Sequence, residues 1–215
     1  MYINDLPFRI GAFRARMLVS SIGDRCFVHH SLVLKAARKV RLGRSVEIRR
    51  GVELDARSKE KMGIIIGDSC RIKEYCTIAA YGGQIKIGQS ALIGRNATIF
   101  GHGKVEIGDH SMLGPNVCIF SSEHIIADAP DPFQNQGFTR ERTVIGNNVW
   151  LGAGAIVLAG VQVSDNVVIA AGSVVSSSIV SPGIYGGIPA KRIADLPAKD
   201  KIQKEVYSVD WTLNG

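Results

Sequence analysis

The chain has 215 residues, 46% hydrophobic and 21% charged, with 24 glycines; this balance excludes a disordered chain and fits one domain with short appendages. Lys and Arg outnumber Asp and Glu 26 to 19, for a net charge of +7, which favours acidic partners in general. Neither a dense basic run nor an aromatic RNA-binding motif is present, so nucleic acid is not an expected partner.

The four cysteines, Cys26, Cys70, Cys76 and Cys118, have no C-x-x-C spacing and lie among apolar residues, which reads as free buried thiols in a reducing compartment. Arg9, Arg14 and Arg16 interrupt the N-terminal apolar residues, unlike the core of a signal peptide. The most apolar stretch, 149–163, holds three glycines and is too short to span a bilayer. The expectation is a cytoplasmic protein.

Residues 1–21 precede any repeat. Phe8, Phe13, Met17 and Leu18, with the three arginines between them and Pro7 before them, predict a short basic amphipathic helix. It would cap the first coil of whatever follows, covering an edge that an open stack cannot leave bare; attachment to a membrane surface is the weaker alternative.

From residue 22 an aliphatic residue returns every sixth position. Ile22, Val28 and Leu34 form one triplet, followed by Leu42, Ile48 and Leu54, then Ile66, Ile72 and Ile78. Ile87, Ile93 and Ile99 and then Ile107, Leu113 and Ile119 continue it; Ile145, Leu151 and Val157 and finally Val163, Ile169 and Val175 complete seven triplets. Neither helix nor plain strand alternation produces a period of six. Three six-residue faces closing one turn do, as in parallel β-helices, where only stacking buries the apolar side of each repeat. Seven coils at ~4.8 Å make a prism roughly 30 Å tall. The recurring Ile-Gly-Asp/Asn opener (Ile22, Ile66, Ile107, Ile145) predicts corners at which Gly, Asp or Asn adopts left-handed backbone.

One insertion, 121–143 (SSEHIIADAPDPFQNQGFTRERT), breaks the beat. A long patternless loop on a rigid coil is where a scaffold carries function. After Val175 the repeat decays into GGIPAKRI, and 199–207 reads as a short charged helix within a tail that caps the last coil or packs on a neighbouring chain.

The ordered segments IGDHSMLGPNVCI, SSEH, QGF, IGNNVWLGAGAIVLAGV, IAAGSVV and GGIPAKRI resemble the hexapeptide-repeat acyltransferases, above all the sugar and polysaccharide O-acetyltransferases with the maltose and galactoside acetyltransferases. The resemblance covers about residues 22–195. It implies an all-β fold, a left-handed parallel β-helix, with a cap at 1–21, an active-site loop at 121–143 and a helical tail at 196–215. It also implies a homotrimer that binds acetyl-CoA between subunits and transfers acetyl to a carbohydrate acceptor.

A sugar hydroxyl is a poor nucleophile at neutral pH and needs a positioned base, for which histidine is suited. By the resemblance that base is His124 in the loop, with Glu123, Asp128, Glu141 or a backbone carbonyl as candidate orienting partners. Asn116 matches a family asparagine facing the site, and Trp150 a pocket-wall tryptophan. The backbone N–H near Ala153, with Gly152, would face the thioester oxygen. Small residues there and at Ala171 would let the pantetheine arm lie close, though a tight corner demands the same letters. Lys191 and Arg192 follow a proline as a cation pair suited to phosphate. Ser176 stands where relatives have a Thr-Lys-like pair, which places more weight on Lys191.

His29, His30, His102 and His110 raise a metal reading, since γ-class carbonic anhydrases resemble this coil and use three histidine ligands; the loop pattern is foreign to that class and no metal is expected. The basic balance hints at an anionic glycan as acceptor. The function expected is O-acetylation of a surface polysaccharide or its precursor. The alternatives are N-acetylation of an amino sugar or antibiotic, and a non-enzymatic assembly solenoid.

Overall fold

Three parallel sheets wind the chain into a solenoid, as the six-residue period predicts. The structure is a computed structural model and describes residues 6–128 and 130–198; the helix expected at 199–207 lies outside the described residues. Face A stacks Ser21–Ile22, Val40–Leu42, Ile64–Ile66, Ile85–Ile87, Val105–Ile107, Thr143–Ile145 and Gln162–Val163. Face B stacks Phe27–Val28, Glu47–Ile48, Arg71–Ile72, Leu92–Ile93, Met112–Leu113, Trp150–Leu151 and Val167–Ile169, then Gly183–Gly187 and Ala190–Ala194. Face C stacks Val33–Lys35, Glu53–Asp55, Thr77–Ala79, Thr98–Phe100, Cys118–Ile119, Ile156–Val157 and Val174–Val175. Seven complete coils result. An eighth begins with the parallel pairing of Gly183–Gly187 on Val167–Ile169 and ends when Ala190–Ala194 turns back antiparallel.

The registers put the aliphatic period to work. Ile66 pairs with Ile87, Ile87 with Ile107 and Ile107 with Ile145, so each triplet member heads a vertical column. Except for Ile22 and Leu34 at the open end, which are partly buried, every triplet residue is buried. A second inward position lies two residues before each: Val46, Cys70, Ala91 and Ser111 line up on face B, and Val52, Cys76, Ala97 and Val117 on face C. Space there suits small residues, and the polar ones among them find partners. The Ser111 hydroxyl donates to Gly146 O at 2.8 Å and accepts from Val149 N, and the Cys70 and Cys76 thiols donate to Gly88 O and Gly94 O at 2.8 and 2.9 Å. Burial pushes both thiols up to about 11. Cys26 and Cys118 are only half-buried, a departure from the expectation of four buried thiols.

The corners correct one expectation. In Ile66-Gly67-Asp68-Ser69 the left-handed residue is Ser69 (φ 58°), not Gly67 or Asp68, and Arg25, His110 and Asn148 hold the same place in the other openers. Gly67 is needed for another reason: a Cβ there would lie 2.7 Å from the backbone of Gly88 in the next coil. The acid that follows it reaches to the neighbouring coil. Asp68 accepts from Arg44 N at 2.8 Å, Asp109 from Gln89 N at 2.9 Å and Asp165 from Asn147 N at 2.7 Å. These carboxylates satisfy corner N–H groups that the ladder leaves unpaired, and the bonds hold Asp68 and Asp165 below the usual carboxylate range.

Helix α1, Leu6–Leu18, covers the open end beneath Phe27–Val28, where a cap was expected. It packs differently from the expected apolar face. Contact is made through Gly11, whose Cβ would lie 1.9 Å from Val28 O, and through Ala15, with Val19 following the helix into the core. Phe13 and Met17 point away and are exposed. Close approach over a strand edge requires small residues, which is why Phe13 and Met17 lie on the far side, while Phe8 in the first turn packs on His29.

The columns make a size-specific demand that thermal or urea unfolding can check. Ile99→Ala, in the buried face C column, is expected to cost roughly 2–5 kcal/mol, whereas Thr98→Ala beside it on the outer face is expected to cost under about 1 kcal/mol. Equal losses would contradict the column assignment.

Candidate active site

Two edges of face C carry the residues singled out from the sequence. The edge between faces B and C is built from one corner per coil: Gly51, Tyr75, Asn96, Asn116, Gly154 and Gly172 all take left-handed backbone there, with φ between 57° and 70°. The corners are pinned to one another. Asn116 N donates to Arg95 O at 2.8 Å, Gly154 N to Pro115 O at 2.8 Å and Gly172 N to Ala153 O at 2.9 Å. Asn116, Ala153 and Ala171 therefore stand in line along the prism axis, and all three are exposed.

This edge changes character upward. Lower coils carry Arg50, Tyr75 and Arg95, whereas the top two carry only Ala153-Gly154 and Ala171-Gly172. An added Cβ at Gly154 or Gly172 meets nothing within 4 Å, so the upper edge is a smooth, open strip against which an extended chain can lie. Gly152 N and Gly154 N donate to Ile169 O and Pro115 O, both at 2.8 Å; Ala153 between them donates to no backbone carbonyl among the described residues. Gly187 N reaches the Ser173 hydroxyl at 3.1 Å, which folds the final hairpin over the same corner. Lys191 and Arg192 follow on that hairpin and are exposed; Arg192 forms a close ion pair with Asp195.

Trp150 lies on face B between Met112 and Val168 and is 50% exposed. With Pro115, Gly114, Leu92, Arg95 and Lys73 it lines a groove of about 410 Å³. The groove's cations are paired: Arg95 with Glu74 at 2.8 Å, and Lys73 at 3.8 Å and Arg49 more closely with Glu47. Fixed charge there is nearly balanced.

The loop leaves from the opposite edge of face C. Its two legs are joined by Glu141 N to Ser121 O at 2.9 Å, Thr139 N to Glu123 O at 2.7 Å and Ile125 N to Gly137 O at 3.1 Å, while Gln136 ties its tip to Ala127 and Asp131. His124 pairs with Phe138 across these legs, with ring centroids 6.4 Å apart, and is exposed. None of the carboxylates considered as its orienting partner hydrogen-bonds it among the described residues. Ser176 also follows face C, at the far end from Ala171. One chain thus brings Asn116, Trp150, Gly152, Ala153, Ala171 and the Lys191-Arg192 hairpin to one corner and leaves His124 and Ser176 at the other. From Asn116 to Ser121 is five residues of strand, about 16 Å at ~3.3 Å each.

Around His124 the structure assembles a cluster that sequence reasoning missed. Tyr81, His102 and Phe138, with Arg57, Ser58 and Gly82, line a second cavity of about 420 Å³. His102 lies tilted on Tyr81 at 4.9 Å and edge-on to Phe138 at 5.3 Å, and Phe100 bridges Tyr81 to Phe120. The available signal was Tyr81, Phe100 and Phe120 at intervals of 19 and 20 residues, about one coil apart. Arg57 is fixed by the buried Asp55 carboxylate through Nε at 2.9 Å and Nη2 at 2.6 Å. Burial raises the pKa of Asp55, but Arg57 outweighs that and holds it below its ordinary 3.8. His102, weighed from the sequence only as a metal ligand, sits here apart from His29, whose ring packs on Phe8 under the helix. Among the described residues no three His, Cys, Asp or Glu converge as metal ligands do.

His102 Nδ1 is buried without a hydrogen-bond partner. Burial first, then the positive charges of Arg140 and His124, hold its imidazole below the ordinary 6.5. Its sign follows from linkage: below 6.5 the unfolded chain binds a proton that folded His102 resists, so stability present above 6.5 is lost as the pH falls towards the lower folded value. His102→Phe is expected to flatten this part of the stability curve, read by urea unfolding at about pH 7.5 and about pH 5.5; an unaltered slope would contradict the neutral buried imidazole.

Known proteins share this architecture. Residues 142–177 match the bacterial transferase hexapeptide (six repeats), and 84–121 match the hexapeptide repeat of succinyl-transferase. Over 125 residues the chain is 39% identical to a chloramphenicol acetyltransferase of Morganella morganii, covering 58% of this chain and 57% of that one. Over 57 residues it is 40% identical to the galactoside O-acetyltransferase of Escherichia coli K12, covering 26% and 28%. The chain spans about half the length of the curated relatives it matches first. Among solved structures, a variant of AntD, an N-acyltransferase from Bacillus cereus in complex with dTDP and coenzyme A, superposes with a TM-score of 0.66 at 17% identity, over 90% of this chain and 92% of that one. The two matched segments, 84–121 and 142–177, lie within the three-sided solenoid and make this chain similar to the hexapeptide-repeat transferases over those residues.

Proposed function

We propose that this chain is an acetyl-CoA-dependent O-acetyltransferase acting on a saccharide hydroxyl, with His124 as general base and a site shared between neighbouring copies of a homotrimer. The observation that carries the reading is the separation on one chain of a smooth corner and a loop imidazole by the width of face C. Packing one chain's loop edge against the next chain's B–C edge joins the two halves.

The corner fits the coenzyme by its own chemistry. Open space beside Gly154 and Gly172 accepts the pantetheine arm, and Lys191 on the hairpin above suits its phosphates, with Arg192 already engaged by Asp195. Acetyl-CoA supplies the acetyl group as a thioester. The Ala153 N–H is placed to hydrogen-bond charge developing on the thioester oxygen. Trp150 and Asn116 wall the corner and orient the acceptor, and His124 takes the proton from its hydroxyl as attack proceeds. The cavity of Tyr81, His102 and Phe138 beside His124 offers aromatic faces on which a pyranose ring stacks. Coenzyme A bound to AntD and the name of the galactoside relative support this reading. The free thiols suit a cytoplasmic site, and a precursor of a surface polysaccharide is the acceptor we favour.

A second reading keeps the transfer and changes the acceptor to an amine, of an amino sugar or an antibiotic. It is favoured by the N-acyltransferase neighbour.

His124→Ala is expected to lower acetyl transfer by about 10²–10⁴-fold, the usual range for a general base, with CoA binding by calorimetry unchanged. Full activity would remove His124 from the mechanism. Lability of the product to mild base identifies an ester, and stability an amide, which decides between the two readings.

A further inference from the structure

Helix α1 presents two faces, and packing explains only one. Gly11 and Ala15 lie against the first coil. At 100° per residue, Leu6, Ile10, Phe13 and Met17 fall on the opposite side in one stripe, exposed by 57%, 52%, 69% and 62%. Because the helix closes the end of the prism, this stripe forms the outer surface of that pole. Arg14 flanks it on one side and Arg9 and Arg16 on the other, an arrangement in which the aliphatic stems extend the apolar surface while the guanidinium groups reach outward.

Charge is distributed with equal asymmetry. Residues 6–55, the helix and first two coils, contain eleven Lys and Arg against four acidic residues; the rest of the chain contains fifteen against fifteen. The entire positive excess of the protein therefore resides at the capped end, and the remainder is balanced. Arg25, Arg38, Arg41 and Arg44 are all exposed there.

We propose that this pole docks on an anionic lipid bilayer, with the Leu6, Ile10, Phe13 and Met17 stripe entering the headgroup boundary and the surrounding arginines pairing with lipid phosphates. An apolar stripe alone would suit a second protein copy, and a basic patch alone a polyanion such as RNA. Apolar side chains bordered by arginines, on the basic end of an otherwise charge-balanced molecule, match the chemistry of an anionic membrane surface. The axis of the solenoid would then stand away from the membrane, leaving the loop edge and the B–C corner open along its sides.

The test is co-sedimentation of the full-length protein with vesicles of phosphatidylcholine alone and of phosphatidylcholine with about 30% phosphatidylglycerol, an anionic content at which basic interfacial helices bind. Binding is expected to the anionic vesicles only, and to weaken at least about fivefold when salt rises from about 0.1 M to about 0.5 M. The surface variants Ile10→Asp/Phe13→Asp and Arg14→Glu/Arg16→Glu should each reduce it by about tenfold or more, with circular dichroism and oligomer mass unchanged. Equal binding to neutral vesicles, absence of binding to either, or undiminished binding by both variants would overturn the proposal. A loss of oligomer mass in Ile10→Asp/Phe13→Asp would assign the stripe to a second copy instead, and retention on RNA without vesicle binding would assign the pole to nucleic acid.

Discussion

Every feature of this protein answers to one constraint: each coil must hydrogen-bond, strand for strand, to the coils above and below it. The backbone ladders of three parallel sheets run along the prism axis, so neighbouring coils are held at strand spacing, close to 4.8 Å. At that separation there is room for two inward side chains per face: two aliphatics on face A, as at Ile64 and Ile66, and one aliphatic with a smaller residue on faces B and C. Where the ladder turns a corner there is room for no side chain at some positions, as at Gly67 and Gly108, where a Cβ would strike the next coil. The rest of the coil is permissive. Loops can leave only where they return to the same rung, as between Ile119 and Thr143, whose faces C and A continue in register across the insertion.

The same rigidity keeps the two halves of the candidate site apart. Face C is too stiff to bring Asn116 and His124 together, and the loop that carries His124 is tied to its own edge by cross-leg hydrogen bonds. A flexible protein could close such a gap by folding over it; under the proposed function, this solenoid closes it by adding another copy. Symmetric repetition of one interface would generate equivalent clefts, each with a coenzyme corner from one chain and an imidazole from the next. Phe138 packs on both His124 and His102, with Arg140 over its ring, while the paired cations leave the Trp150 groove without a strong field. An anionic acceptor, suggested by the overall basic balance, finds its positive charge chiefly at the helical pole, far along the axis from Trp150.

Much of this could be read from the letters because the period of six is a direct consequence of burial. Ile66, Ile87, Ile107 and Ile145 were legible as a column before any coordinate, and so was the interruption at 121–143. The corners were misread at one step: Gly67 and Asp68 were expected to supply left-handed backbone, which Ser69 supplies instead. Close approach between coils and capping by a carboxylate from an adjacent coil favour the same letters, and neither is visible within a single repeat. The helix was legible as a helix but not in its orientation, since Gly11 and Ala15 reveal their purpose only once Val28 O is found beneath them. The cluster of Tyr81, His102 and Phe138 was hidden because its members come from two coils and a loop. Residues at the B–C corner were recognised through resemblance, and Asn116 remains as much a turn asparagine by its φ of 59° as a site residue by its place beside Ala153.

The central claim, that catalysis requires one chain's loop and another chain's corner, can be tested by mixing two inactive proteins. His124→Ala lacks the base, and Ala153→Phe obstructs the smooth corner without entering the core. Co-assembled chains, isolated through a different tag on each, are predicted to recover about one third of wild-type transfer, since a cyclic trimer holding both chains has one cleft in three with an intact loop and an intact corner. Persistent inactivity in assemblies shown to contain both chains would contradict the account and return the site to a single subunit.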